Sequence, residues 1–286
     1  RLMQGSEAVL AAKQAGDWVA LQGLELLTML VAAAMGAVFS LLLSFASINL
    51  RADQTIGGTA LNLMAPALVL FLIRIIANQN TLQMATGDSA SWFMLKKSTF
   101  GVDKSVDWGF FGETFLNKIY LATYICILLF IILSVILYKT KFGLRLRACG
   151  EHPQAADSVG INVYKMRYAG VLLSGALGAI GGMAYIVPPV QTWNFEVGVA
   201  GAGFLAMAVM IFGQWKPFNI FGAAMFFAVF KSLANIADST FLAQLHWSSN
   251  IYNMMPFVAS MIILAFTSKN SMAPKAEGIP YDKGSR

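Results

Sequence analysis

Residues 142–168 read FGLRLRACGEHPQAADSVGINVYKMRY. They form a basic, polar island between two long apolar runs, and carry Arg145, Arg147, Lys165 and Arg167. In a chain this apolar, a plain connection needs far fewer polar residues. The island is long enough for a short helix with defined ends, as in a cytoplasmic loop that docks a partner protein. Pro153 suits a helix start, Ala155, Ala156 and Asp157 continue a turn, and Gly160 suits a stop.

The flanking runs are typical of the whole chain. Of its 286 residues 57% are hydrophobic and 12% are charged, and the mean hydropathy is +0.65. A soluble domain carries about 25% charged residues. Too few charges are present to coat a soluble surface, so the chain is a polytopic membrane protein with an all-α bundle. The net charge of +6 does not indicate nucleic acid, because the positives gather in loops beside apolar spans. Cys126 lies in an apolar span and Cys149 in the basic island. They fall at different depths, so no disulfide is expected, and no metal spacing occurs.

A spanning helix needs about 20 apolar residues. Candidate spans are 24–46, 55–77, 117–138, 168–187, 199–213, 218–237 and 251–267, about seven in all. The fifth is short and glycine-rich and reads as a partial or tilted span. Lys139, Lys141, Arg145, Arg147, Lys165 and Arg167 outweigh Glu151 and Asp157, which places the 139–167 loop inside. Alternation then puts Arg51, Lys216 and the 268–286 tail inside and the near-neutral 78–116 loop outside. The start falls outside with no signal peptide, which suggests that spans are missing upstream. The whole reads as one transmembrane domain over 1–286, with APKAEGIPYDKGSR as a solvated end.

Polar and small residues inside spans carry the remaining information. Ser174, Gly178 and Gly182 recur every four residues, a spacing that lets helix backbones approach closely; helix packing outweighs a cavity-lining face here. Thr59 and Asn62 sit in the second span, where Asn62 either hydrogen-bonds a solute or cross-links helices. Pro66, one turn on, loosens the backbone ladder. Asn253 lies near the outer start of the last span. Glu25 and Arg74 lie near outer ends, where Arg74 snorkels, so neither marks a deep ionic site. His152 and His246 are far apart in sequence and read as surface residues. The GAGFLA run from Gly201 lacks a preceding strand and is no dinucleotide site. The 188–203 segment, with Trp193, Phe195 and Glu196, reads as resting at the outer interface.

RLRACGEHPQAADSVGINVYKMRYAGVLLSGALGAIGGMAYI resembles the signature loop and following span of bacterial ABC importer permeases. The superfamily serves branched-chain amino acids, ribose and other simple sugars, and nucleosides. INLRADQTIGGTALNLMAP, LAMAVMIFGQWKP and APKAEGIPYDKG resemble its nucleoside-uptake branch, and the likeness runs over residues 45–285. The resemblance implies a non-catalytic subunit in the bacterial plasma membrane. It would pair with a second, related permease chain, a cytoplasmic ATPase and an extracytoplasmic solute-binding lipoprotein. ATP and magnesium would belong to the ATPase. The coupling loop would carry Arg145, Arg147, Gly150, Glu151, His152, Pro153, Ala155, Ala156, Gly160 and Ile161, and Thr59, Asn62 and Asn253 would line the path of a nucleoside or purine. Family members usually begin with further spans and an Asn-Gly-Glu-Gly-like segment, which this chain lacks.

Three other readings compete. A permease for simple sugars or branched-chain amino acids differs only in cargo. An independent secondary transporter would need interior ionisable residues or inverted repeats, and a membrane enzyme would need clustered His or Asp; none of these stands out.

Overall fold

The computed structural model describes residues 18–78, 119–186, 201–236 and 272–283 as continuous stretches, with short pieces and single positions between them. Its contacts divide the chain into two units, 1–198 with 278–286, and 199–277.

In the first unit, α1 (Trp18–Ser44) runs into a wide π-helical turn at Phe45–Asn49. The helix α2 (Gln54–Ala77) follows. Asp53 caps α2, accepting from the amides of Thr55 (2.7 Å) and Ile56 (3.0 Å). The Ile56 and Thr55 amides hold its carboxyl below the usual carboxylate range. The cap therefore contributes fully above the ordinary carboxylate pKa and fades as pH falls through the lowered value. Next come α3 (Leu121–Lys139), α4 (Lys141–Glu151), α5 (Pro153–Ser158) and α6 (Val163–Ile186). The helices α1, α2, α3 and α6 are long and apolar enough to cross a membrane. Their many outward Leu, Ile, Val and Phe side chains suit lipid or a partner helix rather than water.

Two short antiparallel ribbons lie at ends of these helices. In the first, β1 (Thr81–Gln83), just after α2, pairs with β4 (Thr192–Asn194), just after α6, with Leu82 opposite Trp193. In the second, β2 (Met94–Leu95) pairs with β3 (Ile119–Tyr120) at the start of α3. The first ribbon brings the ends of α2 and α6 together, and the second sits at the start of α3. The expected external loop and the 188–203 segment meet in the first ribbon, while most of both lies outside the described residues.

The close helix contact in this unit is α1 against α6. A Cβ added to Gly36 would meet the Gly175 carbonyl oxygen at 2.4 Å and Ala179 Cβ at 2.5 Å. One added to Gly175 would meet Ser40 Cβ and Oγ at 2.5 Å. The seam is thus Gly36-xxx-Ser40 against Gly175-xxx-Ala179. This seam is not the stripe of Ser174, Gly178 and Gly182 expected to pack. Ser174 and Gly178 are exposed, and a Cβ on Gly178 or Gly182 meets no described atom within 4 Å. The α6 contact face lies one residue, about 100°, around the helix from that stripe.

Glu25 is buried near the start of α1. It is 2% exposed, on the Leu21–Glu25–Met29 face of α1. Its carboxylate accepts from the amide of Ala122 in the first turn of α3. That turn presents unsatisfied amides and the positive end of a helix dipole. Glu25 is the eighth residue of α1 and sits against the first turn of α3, so it lies near the end of its span, as the sequence placed it, but is buried there.

In the second unit, α7 (Ala202–Phe212) and α8 (Pro217–Ile236) pack through Val209, Ala223 and Phe227. At 1.5 Å per residue α7 reaches only about 17 Å, shorter than the roughly 30 Å hydrocarbon core that a full span must cross. Gly213 closes the turn where a Cβ would meet Ile220 Cα at 2.5 Å. Most of the seventh expected span, 251–267, lies outside the described residues.

Candidate functional site

The polar island folds into a closed helix-turn-helix. Thr140 starts it: its Oγ1 accepts from the Gly143 amide at 3.2 Å and donates to the Ile136 carbonyl at 2.6 Å. The helix α4 doubles back so tightly that a Cβ on Gly143 would meet the Ile136 and Leu137 carbonyl oxygens at 2.3 and 2.4 Å. Arg147 lies 4.7 Å from the centre of the Tyr138 ring, a cation–π contact that fixes α4 on the end of α3. Arg145 stays exposed, and Gly150 is half-buried.

His152 joins the two short helices. Its amide donates to the Ala148 carbonyl, closing α4, and its carbonyl accepts from Ala156, opening α5, both at 3.0 Å. Pro153 at the first helical position has no amide to leave orphaned. At the far end, Gly160 donates to Asp157 (2.9 Å) and Ile161 to Ala156 (3.1 Å). This is the Schellman pattern, with Gly160 at φ +82°. The expected start and stop thus have a geometric basis. Gly160→Val is expected to destabilise the loop by about 1–2 kcal/mol through left-handed strain, measured as a lower melting temperature of the purified permease; Gly160→Ala should fall between the two.

Cys149, Ala156 and Val163, one from each of α4, α5 and α6, form the loop's core with Tyr281 from the tail. Burial pushes the Cys149 thiol up despite nearby Arg167, so this cysteine is a core residue and a poor nucleophile. Tyr281 is 5% exposed, which corrects the expectation of a solvated tail around it. Pro153 and Ala156 point inward; Glu151, His152, Gln154, Ala155, Ser158 and Val159 point out. Val159 is 74% exposed, an apolar knob on a polar surface.

Two features were not anticipated. Asn162 starts α6, its Oδ1 accepting from Lys165 at 3.0 Å, and Gly143 makes the α3–α4 approach feasible. An Asn directly before an apolar helical run is a recognised start signal, so Asn162 was readable; Gly143 depends on a contact with the preceding helix.

The other expected site residues are not gathered. Thr59 and Asn62 lie one turn apart on α2 and are exposed; Thr59 Oγ1 donates to Thr55 O at 2.8 Å. Pro66 sits inside α2. It has no amide, so the Asn62 carbonyl four residues earlier loses its helical partner. Asn62 thus combines a side-chain amide and a freed carbonyl on one turn. Asn253 lies outside the described residues.

The chain is similar to two transport proteins. The nucleoside ABC transporter permease protein NupC of Lactococcus lactis is 40% identical over 258 residues, 90% of this chain and 78% of that one. The guanosine ABC transporter permease protein NupQ of Bacillus subtilis is 38% identical over 261 residues, 91% of this chain and 78% of its own. No solved structure gives a significant match. A family model described as branched-chain amino acid transport system / permease component matches residues 2–265, and with the membrane helices and closed polar loop in place, the chain belongs to that family and is a multi-pass membrane permease.

Proposed function

We propose that the chain is the membrane subunit of an ATP-driven importer of nucleosides, coupled to a cytoplasmic ATPase through the 145–161 loop. The observation that carries the docking assignment is the shape of that loop. It is a rigid two-helix unit, closed at Thr140 and Gly160, with an outward face of His152, Gln154, Ala155 and Val159 between basic flanks. Small and apolar groups on a preorganised helix suit insertion into a partner's groove, because little entropy remains to be lost on docking. The cargo assignment rests on the two nucleoside-named relatives.

In this reading the C-terminal tail and the loop face the cytoplasm, a second related permease completes the membrane pore, and a solute-binding lipoprotein delivers the nucleoside. This subunit carries no catalytic residue; ATP and magnesium are held by the ATPase. ATP-driven closure of the ATPases would push the two loops and tilt the spans to open one side. Thr59 and Asn62 would line a weakly binding path, since solute must also leave it.

The test is the complete transporter in proteoliposomes. ATP hydrolysis is expected to rise when the binding lipoprotein is loaded with guanosine or adenosine. Stimulation by ribose or leucine alone would overturn the cargo. Failure of the ATPase to copurify would overturn the docking assignment.

A further inference from the structure

We propose that residues 279–282 form a strap that carries movement of the coupling loop to the start of α2, with Tyr281 as its positioning residue. The proposal rests on the coupling role just assigned to the loop and adds the route by which its movement reaches the membrane helices.

The strap is fixed at both ends. At one end the Tyr281 ring is the fourth wall of the Cys149, Ala156 and Val163 cluster, so it touches α4, α5 and α6 together. It meets the Tyr164 ring edge-on at 5.3 Å. Its hydroxyl hydrogen-bonds Asp157 at the end of α5. Arg167 stands 5.9 Å from the ring centre and donates to the Ile279 carbonyl at 2.9 Å. At the other end, one residue on, Asp282 accepts two hydrogen bonds from Arg51, at 2.8 and 3.0 Å. Such a fork-to-fork pair fixes direction as well as distance.

Arg51 is placed to receive a pull. It lies between the π-helical turn and the Asp53 cap of α2, and its φ is +53°. A non-glycine residue there is strained, and such strain concentrates at switching segments. π-helical turns likewise cluster at functional sites. A second tie runs alongside, from the Tyr168 hydroxyl on α6 to Asn49 Oδ1 at 2.9 Å. Within a few residues the chain thus links the loop that meets the ATPase to the base of the helix carrying Thr59, Asn62 and Pro66. A displacement of α5 moves the Tyr281 wall, and Asp282 passes that displacement to Arg51 and α2.

The test uses the complete reconstituted transporter, reading nucleoside taken up per ATP hydrolysed, with copurified ATPase as the measure of assembly. Arg51→Glu and Asp282→Arg, each placing like charges together at an exposed site, are expected to lower that ratio about threefold with assembly intact. The swap Arg51→Asp with Asp282→Arg should restore it. Tyr281→Ala should lower it further, and Tyr281→Phe less, since the ring stays and only the Asp157 bond is lost. Single variants that match wild type, or a swap that restores nothing, would overturn the strap. If Tyr281→Ala loses the ATPase altogether, the exposed Arg51–Asp282 series decides. A wild-type complex that takes up no solute overturns the strap and the importer reading together; a working wild type whose variants match it overturns the strap alone.

Discussion

Replacing Gly143 by valine is expected to abolish association with the ATPase while leaving the chain in the membrane. The reason is steric. Even the first carbon of a side chain would sit 2.3 Å from the Ile136 carbonyl oxygen and 2.5 Å from Leu137 Cα. These are backbone atoms of α3, which cannot swing away as a side chain would. The helix α4 must then lift off, and with it go the Thr140 cap and the Arg147–Tyr138 contact. We expect a loss of about 3 kcal/mol in the loop, enough to unfold an eleven-residue helix that has little stability alone. Pull-down of the ATPase from detergent extracts measures the effect. An unchanged yield of ATPase would show that the loop tolerates a shape other than the one described.

The second large effect lies in the membrane. Gly175→Val is expected to remove the folded permease from the membrane fraction, because the substitution drives into Ser40 and the Gly36 carbonyl oxygen, found at 2.5 and 2.7 Å from the added carbon. Lipid supplies no hydrophobic drive to hold α1 and α6 together, so close backbone approach is the main source of their affinity. Gly178→Val, less than one turn away, meets no described atom within 4 Å and should accumulate near wild-type levels. Protein yield and melting temperature in mild detergent separate the pair. Equal losses at both positions would mean that helix propensity or lipid contact, rather than this seam, governs stability.

The same two glycines show where sequence reasoning succeeds and where it stops. Local signals read well. The apolar run predicts a helix over 55–77, and the structure begins it at Gln54. Pro153 and Gly160 mark the limits of α5 because their covalent geometry restricts the backbone wherever they stand. The side of α6 that meets α1 was not singled out, because α6 carries small residues on two faces. Only the facing Gly36 and Ser40, some 135 positions earlier in sequence, decide between them. Tyr281 was hidden for a similar reason. Most of its neighbours are polar, glycine or proline, as in any solvated end, and its burial depends on Cys149, Ala156 and Val163, more than a hundred positions away. The burial of Glu25 was hidden likewise, because it depends on the start of α3 and not on the hydropathy of its own helix. For the solute path, the pairing of the Asn62 side chain with its freed carbonyl follows from Pro66 and was within reach of the sequence. Which helices face it was not.

The most direct measurement places a photoactivatable p-benzoylphenylalanine at Gln154, on the outward face of α5, in the assembled transporter. Illumination is expected to join this chain to the ATPase in high yield, with less product when the same group replaces Val19, an exposed residue near the start of α1. A complex that hydrolyses ATP yet gives an adduct only with lipid, or with the solute-binding protein, would contradict the docking of the ATPase on this loop.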